Sequence, residues 1–365
     1  MKAAFYLPML KSKEGEFTAL SKLNNFTKQH ICPLFEVAPL EWDNETNKKP
    51  KTLKEHLHNF CHKKFLKKWC SANAFIDPVL LDGQLIDGNT SVEYIYEQLN
   101  STILIPMTPV PVVHMYSSPQ QKTGLKNVMR TYKIEELAIR IGIDEIMDIK
   151  FNDKLIQLTD EFEAKITNTH LIFDLGNSDF NEYQDFSDGI VAQLESFPRL
   201  SEWKSFTICG GAFPASNLLK KGCNTVVRLE WRLFGLVKKG IAESNYTRPI
   251  NYGDYSVVTP GYFEFDPKKM SRSANIRYTY GDYWLVYKGS QLKKPEDYKQ
   301  YVNLAGEVYS SEHYLGETYS EGDQYIKNCY FGKAKTGNPT TWNWVGNNHH
   351  FTKVVFDLFS SHSYS

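Results

Sequence analysis

The chain has 365 residues, of which 41% are hydrophobic and 23% charged, with 42 Lys plus Arg set against 42 Asp plus Glu. That composition is globular and excludes extended disorder, and the balanced charge supplies no global field toward nucleic acid or an anionic membrane. No run approaches the roughly 20 apolar residues that cross a bilayer, and Met1-Lys2-Ala3-Ala4-Phe5-Tyr6-Leu7-Pro8 meets Lys11 and Lys13 too soon for a signal peptide.

Six cysteines at 32, 61, 70, 209, 223 and 329 form no CxxC pair and no regular framework, so buried free thiols in a reducing, cytoplasmic setting are expected. Basic runs at Lys48-Lys49-Pro50-Lys51 with Lys54, and at Lys63-Lys64 with Lys67-Lys68, read as solvated faces, so nucleic acid is not the expected partner. The high aromatic content, 14%, asks for large buried rings and for tyrosines at a cleft or interface.

In chain order, short apolar runs at 4–10, 32–37, 75–80, 110–116, 137–141, 170–175, 206–209 and 252–258 each precede a longer amphipathic or polar segment. Eight such βα repeats predict an α/β fold, a (β/α)8 TIM-barrel-like single domain, with the repeats over 1–260. The doubly wound alternative lacks a dinucleotide fingerprint. Residues 225–237 begin like a strand, yet Val227, Trp231, Phe234 and Val237 recur at helical spacing, so most of the segment is expected to be the helix after the seventh strand. Residues 261–365 are expected to pack on the barrel as a hairpin, 276–280 and 283–287 around Gly281-Asp282, followed by helices at 295–309, 324–331 and 351–359.

Barrel sites form at the carboxyl ends of the strands. Polar residues there, inside otherwise apolar runs, are costly unless paired or wet. Lys11 and Lys13 follow the first run; Glu36, Asp77, His114, Arg140 and Asp174 end or interrupt the next five. Glu36, Asp77 and Asp174 are candidates for acid–base work or for holding a divalent cation such as Mg²⁺. His114 and His350 are candidates for proton transfer. The competing reading is a set of structural ion pairs in the lumen, Asp77 with Arg140 for instance. Gly210 and Gly211 invite backbone contact with an anion. Arg277, Lys288, Lys11 and Lys13 offer matching charge, with Arg140, Asp254 and His349 as further rim candidates. A tight turn is the other account of the two glycines. No GxSxG elbow or other nucleophile signature is present.

Several strings carry a family resemblance: Leu10-Lys11 with Lys13, Gly15 and Glu16; Gly210-Gly211-Ala212-Phe213-Pro214; Glu230-Trp231 with Leu233; and Gly253-Asp254-Tyr255. The C-terminal third adds Ser273 to Thr279, Trp284 to Gly289, Gly322-Asp323 with Tyr325-Ile326, and Gly337-Asn338 with Thr340-Thr341-Trp342 and Asn348-His349-His350. In these the chain resembles, end to end, the beta protein family of tailed phages and bacterial genomes. The resemblance implies no reaction or cofactor; by analogy it implies a role in phage–host conflict. The leading expectation is an anion-binding pocket at the barrel mouth for a phosphorylated or nucleotide-like small molecule, with metal-assisted phosphoester hydrolysis as its chemistry. The alternative is a non-catalytic interaction or defence protein that uses Trp284, Tyr287, Trp342 and Trp344 as an interface.

Overall fold

Alternation with a period of two decides which residues of a strand face inward, and here it sorts every apolar run into two sets. A computed structural model describes residues 4–40, 52–69, 73–101, 108–146, 148–177, 183–197, 199–243, 249–261 and 272–359. In it the strands of the barrel and of its accessory sheet are β1 (Leu7–Leu10), β2 (Leu34–Glu36), β3 (Phe75–Asp77), β4 (Val110–His114), β5 (Leu137–Gly142), β6 (Thr169–Asp174), β7 (Ser205–Gly210), β8 (Gly222–Val227), β9 (Asn251–Asp254), β10 (Ser273–Tyr280) and β11 (Tyr283–Gln291). Strands β1 to β7 and β9 close into an all-parallel barrel of order β1-β9-β7-β6-β5-β4-β3-β2, with Leu7 beside Gly253 and Met9 beside Leu34 at the seam. The (β/α)8 expectation is met. The paired strands are shorter than the apolar runs; after Asp77, for example, Pro78 turns the chain into a 3₁₀ turn at Val79–Leu81.

Leu7, Met9, Leu34, Phe75, Val110, Val112, Ala138, Ile172 and Cys209 fill the lumen. Their neighbours Leu10, Phe35, Ile76, Val113, Ile139, Ile141, Leu171, Phe173, Phe206 and Ile208 point outward into one continuous core under the helices. These helices include α1 (Glu14–Ser21), α2 (Asn25–His30), α3 (Leu53–His58, continuing through a π-helical turn at Asn59–Phe65), α4 (Ser91–Asn100), α5 (Pro119–Tyr132), α6 (Phe151–Glu161), α7 (Tyr183–Ser196) and α8 (Leu229–Ala242). Local chemistry sets several starts. Thr90 and Glu93 form a reciprocal cap on α4, and Ser118 caps α5 with Pro119 at its first turn.

The segment at 225–237 resolves into both of its readings. Residues 222–227 are β8, which pairs antiparallel with β11, Val227 opposite Tyr283, and the helix starts only at Leu229. The hairpin forms as expected, β10 on β11, but it belongs to a three-stranded sheet completed by this strand from the loop after β7. One face of that sheet packs Ala274, Ile276, Tyr278, Leu285 and Tyr287 onto α9 (Gln300–Tyr309), α10 (Glu321–Tyr330) and α11 (Pro339–Phe359). The other carries Trp284 and Val286 against Phe213 and Val257 of the barrel loops.

Helix α11 begins twelve residues before the expected 351–359 element and contacts α1, α2, α10 and β10, so it is the helix that follows the last barrel strand. Its middle, Asn347 to His350, is wholly buried. That is tolerable because every polar group finds a partner. Asn348 accepts from Gly322 N at 2.9 Å and donates to Ala19 O at 3.0 Å; Asn347 donates to Asn343 O at 2.7 Å. Cys32, Cys61, Cys209 and Cys329 are buried free thiols as expected, whereas Cys223 is exposed on the edge strand β8. Cys70 and Lys48 to Lys51 lie outside the described residues. In the second basic run, Lys64 donates to Ser12 O at 2.7 Å and Lys68 pairs with Glu14, so both tie α3 and its continuation to the start of α1. No described helix is long and apolar enough to cross a membrane.

A Cβ at Gly322 falls inside contact distance of the Val345 carbonyl oxygen, a backbone atom that cannot swing away. Gly322→Ala is therefore expected to destabilise by about 1–3 kcal/mol through overpacking of α10 on α11. Gly235→Ala, with open space at an exposed helical position, is expected to stabilise by up to about 1 kcal/mol. Paired urea denaturation of the two variants checks both signs.

The carboxyl-terminal mouth as candidate functional site

The last inward position of each of six strands or strand ends carries a polar side chain: Lys11 after β1, Glu36 on β2, Asp77 on β3, His114 on β4, Arg140 on β5 and Asp174 on β6. Tyr255, one residue past β9, completes the ring. These are the sequence candidates brought together, and Arg140 is their centre. Its Nη1 donates to Glu36 Oε1 at 2.7 Å and to Asp77 Oδ2 at 2.8 Å. Nε and Nη2 grip Asp174 Oδ2 at 3.0 and 2.6 Å, and Nη2 also reaches the Tyr255 hydroxyl at 3.0 Å. That hydroxyl donates to Asp174 at 2.7 Å. Lys11 Nζ pairs with Glu36 and lies 5.0 Å over the Tyr255 ring. Tyr255 is not among the sequence candidates; two-residue alternation from Gly253 turns it inward.

Burial pushes the Asp77 carboxyl up, but His114 and then Arg140 outweigh it and hold it well below the usual carboxylate range. Asp174 is likewise lowered, burial being overcome by Arg140 and Tyr255. The guanidinium is pushed above its ordinary value, burial being overcome by Asp174, Tyr255, Glu36 and Asp77. Asp77 thus pairs with Arg140, and the three carboxylates expected to hold a divalent cation converge on a guanidinium that occupies their centre. Among the described residues no group of three His, Cys, Asp or Glu could hold a metal ion.

His114 is the exception to this mutual saturation. Its Nε2 meets Asp77 Oδ2 at 2.9 Å, its backbone N–H is held by Ser117 Oγ at 3.1 Å, and Nδ1 has no partner among the described residues. A carboxylate on one ring nitrogen orients the imidazole and leaves the other for proton exchange. Lys13 is exposed; its backbone N–H bonds Glu16 Oε2 at 2.8 Å to start α1.

The remaining rim candidates are displaced. Gly211 N–H is taken by Gly176 O at 3.0 Å, and a Cβ there would strike Pro260 and Tyr255, so this glycine serves close packing rather than anion contact. Gly210 is a buried β7 residue paired beside Asp254. Lys288 donates to Ser216 O and Leu219 O at 2.7 and 2.8 Å, tying down a loop. Asp254 points outward, not to the rim, and binds Tyr6 Oη, Ser256 N and His350 Nε2, the last at 2.9 Å. His350 Nδ1 meets Thr279 Oγ1 at 2.8 Å. Hydroxyl, imidazole and carboxylate stand in line, yet all three residues are sealed at 0% exposure, so they lock α11 to β9 and β10. His349 does the same, between Asp323 Oδ2 at 2.9 Å and Thr279 O at 2.8 Å. Trp284, Tyr287 and Trp342 are core residues, so these three offer no exposed interface, and Trp344 is half-buried against the same core.

Arg277 is half-buried and differs from the buried arginines Arg140 and Arg228. It stacks 5.1 Å over Phe213 and donates to Val257 O at 2.8 Å. No carboxylate among the described residues lies within ion-pair distance, and burial pulls its pKa down to about 10. Phe213 and Val257 follow the seventh and eighth barrel strands, so this guanidinium stands at the corner of the mouth where they end.

Arg140→Met is expected to cost about 3–5 kcal/mol at neutral pH by leaving buried carboxylates unpaired. Asp77 and Asp174 have depressed values in the folded chain, so their contribution is full above the unfolded value near 4 and lost as pH falls below it. The gap between the two proteins should therefore shrink on acidification below pH ~4, read by thermal unfolding across pH. Glu230, in the first turn of α8, has the opposite sign. Burial above all, with Arg228 opposing, pushes it up to about 8. Its contribution is full below the unfolded value near 4 and declines as pH rises through 8, so Glu230→Gln should gain stability over the parent at pH 8 relative to pH 5.

The family model described as Beta protein matches residues 6–356. No curated protein matches the chain. The match runs from the first barrel strand to the last turns of α11 and includes the mouth, the accessory sheet and the buried histidines of the C-terminal helix: the chain belongs to the beta protein family.

Proposed function

We propose that the carboxyl-terminal mouth binds an anionic small molecule of the phosphate-ester kind, gripped by Arg277, and that His114 exchanges a proton with it. The observation that carries this reading is Arg277 itself, the partly buried guanidinium with no carboxylate within ion-pair distance among the described residues. A cation so placed is costly to keep unless an anion completes it. The fork is pre-set by stacking and by one backbone carbonyl, which leaves its other N–H groups for a bidentate oxyanion. The corner after strands seven and eight is also where barrels commonly seat phosphate.

Lys11 and Arg140 are committed to carboxylates, so their part is to shape and neutralise the mouth, not to grip. His114, held through Asp77, supplies the group that takes a proton from an attacking water or returns one to a leaving oxygen as an ester P–O bond breaks. A cytoplasmic setting belongs to the same proposal, supported by the free thiols.

The test is thermal unfolding of the purified protein against inorganic phosphate, sugar phosphates and nucleotides. Stabilisation by at least one phosphorylated compound is expected, about 2.7 kcal/mol at 100 times its dissociation constant. Arg277→Gln should abolish that shift while the ligand-free variant is as stable as the parent or more so. A ligand-free variant that is clearly less stable, with ligand shifts intact, sinks the assignment. His114→Gln should bind within about threefold of the parent, a change under 1 kcal/mol, and lose any turnover of the bound ester.

A further inference from the structure

Two histidines in the outer helical layer share one acceptor atom. His58 is the last residue of α3, and His62 lies in the π-helical turn at Asn59–Phe65 that continues it. Residues four apart fall on one face of a helix, and here the two ring centroids stand 4.3 Å apart. Both rings turn a nitrogen to the same atom of the neighbouring helix α4: His58 Nδ1 is 3.4 Å and His62 Nε2 is 3.1 Å from Gln98 Oε1. Tetrahedral zinc makes bonds of about 2.0–2.1 Å to nitrogen and oxygen, which sets neighbouring ligand atoms roughly 3.3 Å apart. Each imidazole nitrogen therefore stands from the amide oxygen at the separation of two ligands on one ion. The π turn that carries His62 is itself an uncommon element, and such turns are frequent at functional sites.

We propose that His58, His62 and Gln98 form a site for one divalent ion of the zinc class, with water in the remaining position, and that the ion clamps the π turn to α4. Imidazole nitrogen selects Zn²⁺, Ni²⁺ or Cu²⁺ over the oxygen-seeking Mg²⁺ and Ca²⁺. Cys61, on the same turn, is buried and directs its thiol to Ile95 O at 3.8 Å, so it adds no sulfur to the set. Among the flanking lysines, Lys54 pairs with Asp87, Lys64 donates to Ser12 O and Lys68 pairs with Glu14. Lys63 and Lys67 are exposed, where solvent and salt screen their charge. The proposal stands apart from the reading of the barrel mouth and shares no residue with it.

Calorimetric titration of the full chain with zinc chloride, and with magnesium chloride as the control, tests the site. One zinc per chain is expected, with no binding of magnesium. His58→Ala, His62→Ala and Gln98→Ala should each weaken zinc binding by about tenfold or more, the loss that follows removal of even an outer partner of a metal ligand. His58 is exposed, so the metal-free His58→Ala chain is expected to unfold at the temperature of the parent, and its loss of binding is read on a folded protein. His313→Ala, at a histidine set against Tyr280 of β10, should leave binding unchanged. Cupric ion in place of zinc should give an electron paramagnetic resonance spectrum with splitting from two nitrogens. Absence of one-to-one zinc binding, binding that any of the three substitutions leaves intact, or an equal loss with His313→Ala overturns the site.

Discussion

A guanidinium held among three carboxylates is the interaction on which the mouth of this barrel depends. Above the apolar layers of the lumen the strands still turn side chains inward, and the space must be filled without leaving buried charge unmatched. Arg140 reaches Glu36, Asp77 and Asp174 from one side chain, and Tyr255 and Lys11 close the lattice. Such a lattice contributes little net stability compared with well-packed hydrophobes. What it supplies is a polar floor at the mouth, and His114 is anchored on it through Asp77.

The second constraint is that a polar helix closes the barrel. Helix α11 buries Asn347, Asn348, His349 and His350 because each meets a fixed partner: Ser256 Oγ, Gly322 N with Ala19 O, Asp323 with Thr279 O, and Asp254 with Thr279 Oγ1. These bonds tie barrel strand β9, accessory strand β10 and helix α10 to one element. Arg277 inherits its place from that arrangement, since Gly346 of α11 backs directly onto its carbonyl oxygen and Phe213 and Val257 hold its side chain. Arg277 at the corner of the mouth is therefore placed by the same locked elements that carry Asp254 and, next to it, Tyr255 of the lattice.

Which residues line the lumen was legible from alternation. Glu36, Asp77, His114, Arg140 and Asp174 interrupt apolar runs at positions where a parallel barrel brings strand ends together, so their convergence followed from strand count and period. Their chemistry did not. Three carboxylates at strand ends look the same on paper whether they surround a cation from solution or a guanidinium from a neighbouring strand, and only the reach of Arg140 across the lumen separates the two. Asp254, His349 and His350 carried the same local signature, polar groups in apolar surroundings, yet on the outer side of the barrel wall Asp254 and His350 satisfy each other and His349 is satisfied by Asp323 and Thr279. The segment 225–237 is a strand at its start and a helix from Leu229, because Thr225-Val226-Val227 has a strand partner, β11, about 60 residues later.

Composition, alternation and spacing by themselves determined the class of this protein: eight βα units, a closed parallel barrel, a polar carboxyl-terminal face, and a hairpin and helices after the last strand. Those properties are additive along the chain, because each depends on which residues are apolar and at what period. Tertiary structure decided which charges cancel and which are left over. A buried ion's worth depends on what lies within a few ångströms of it in any direction, and the partners of Arg140, Asp254, His350 and Arg277 come from strands and helices scattered over most of the sequence.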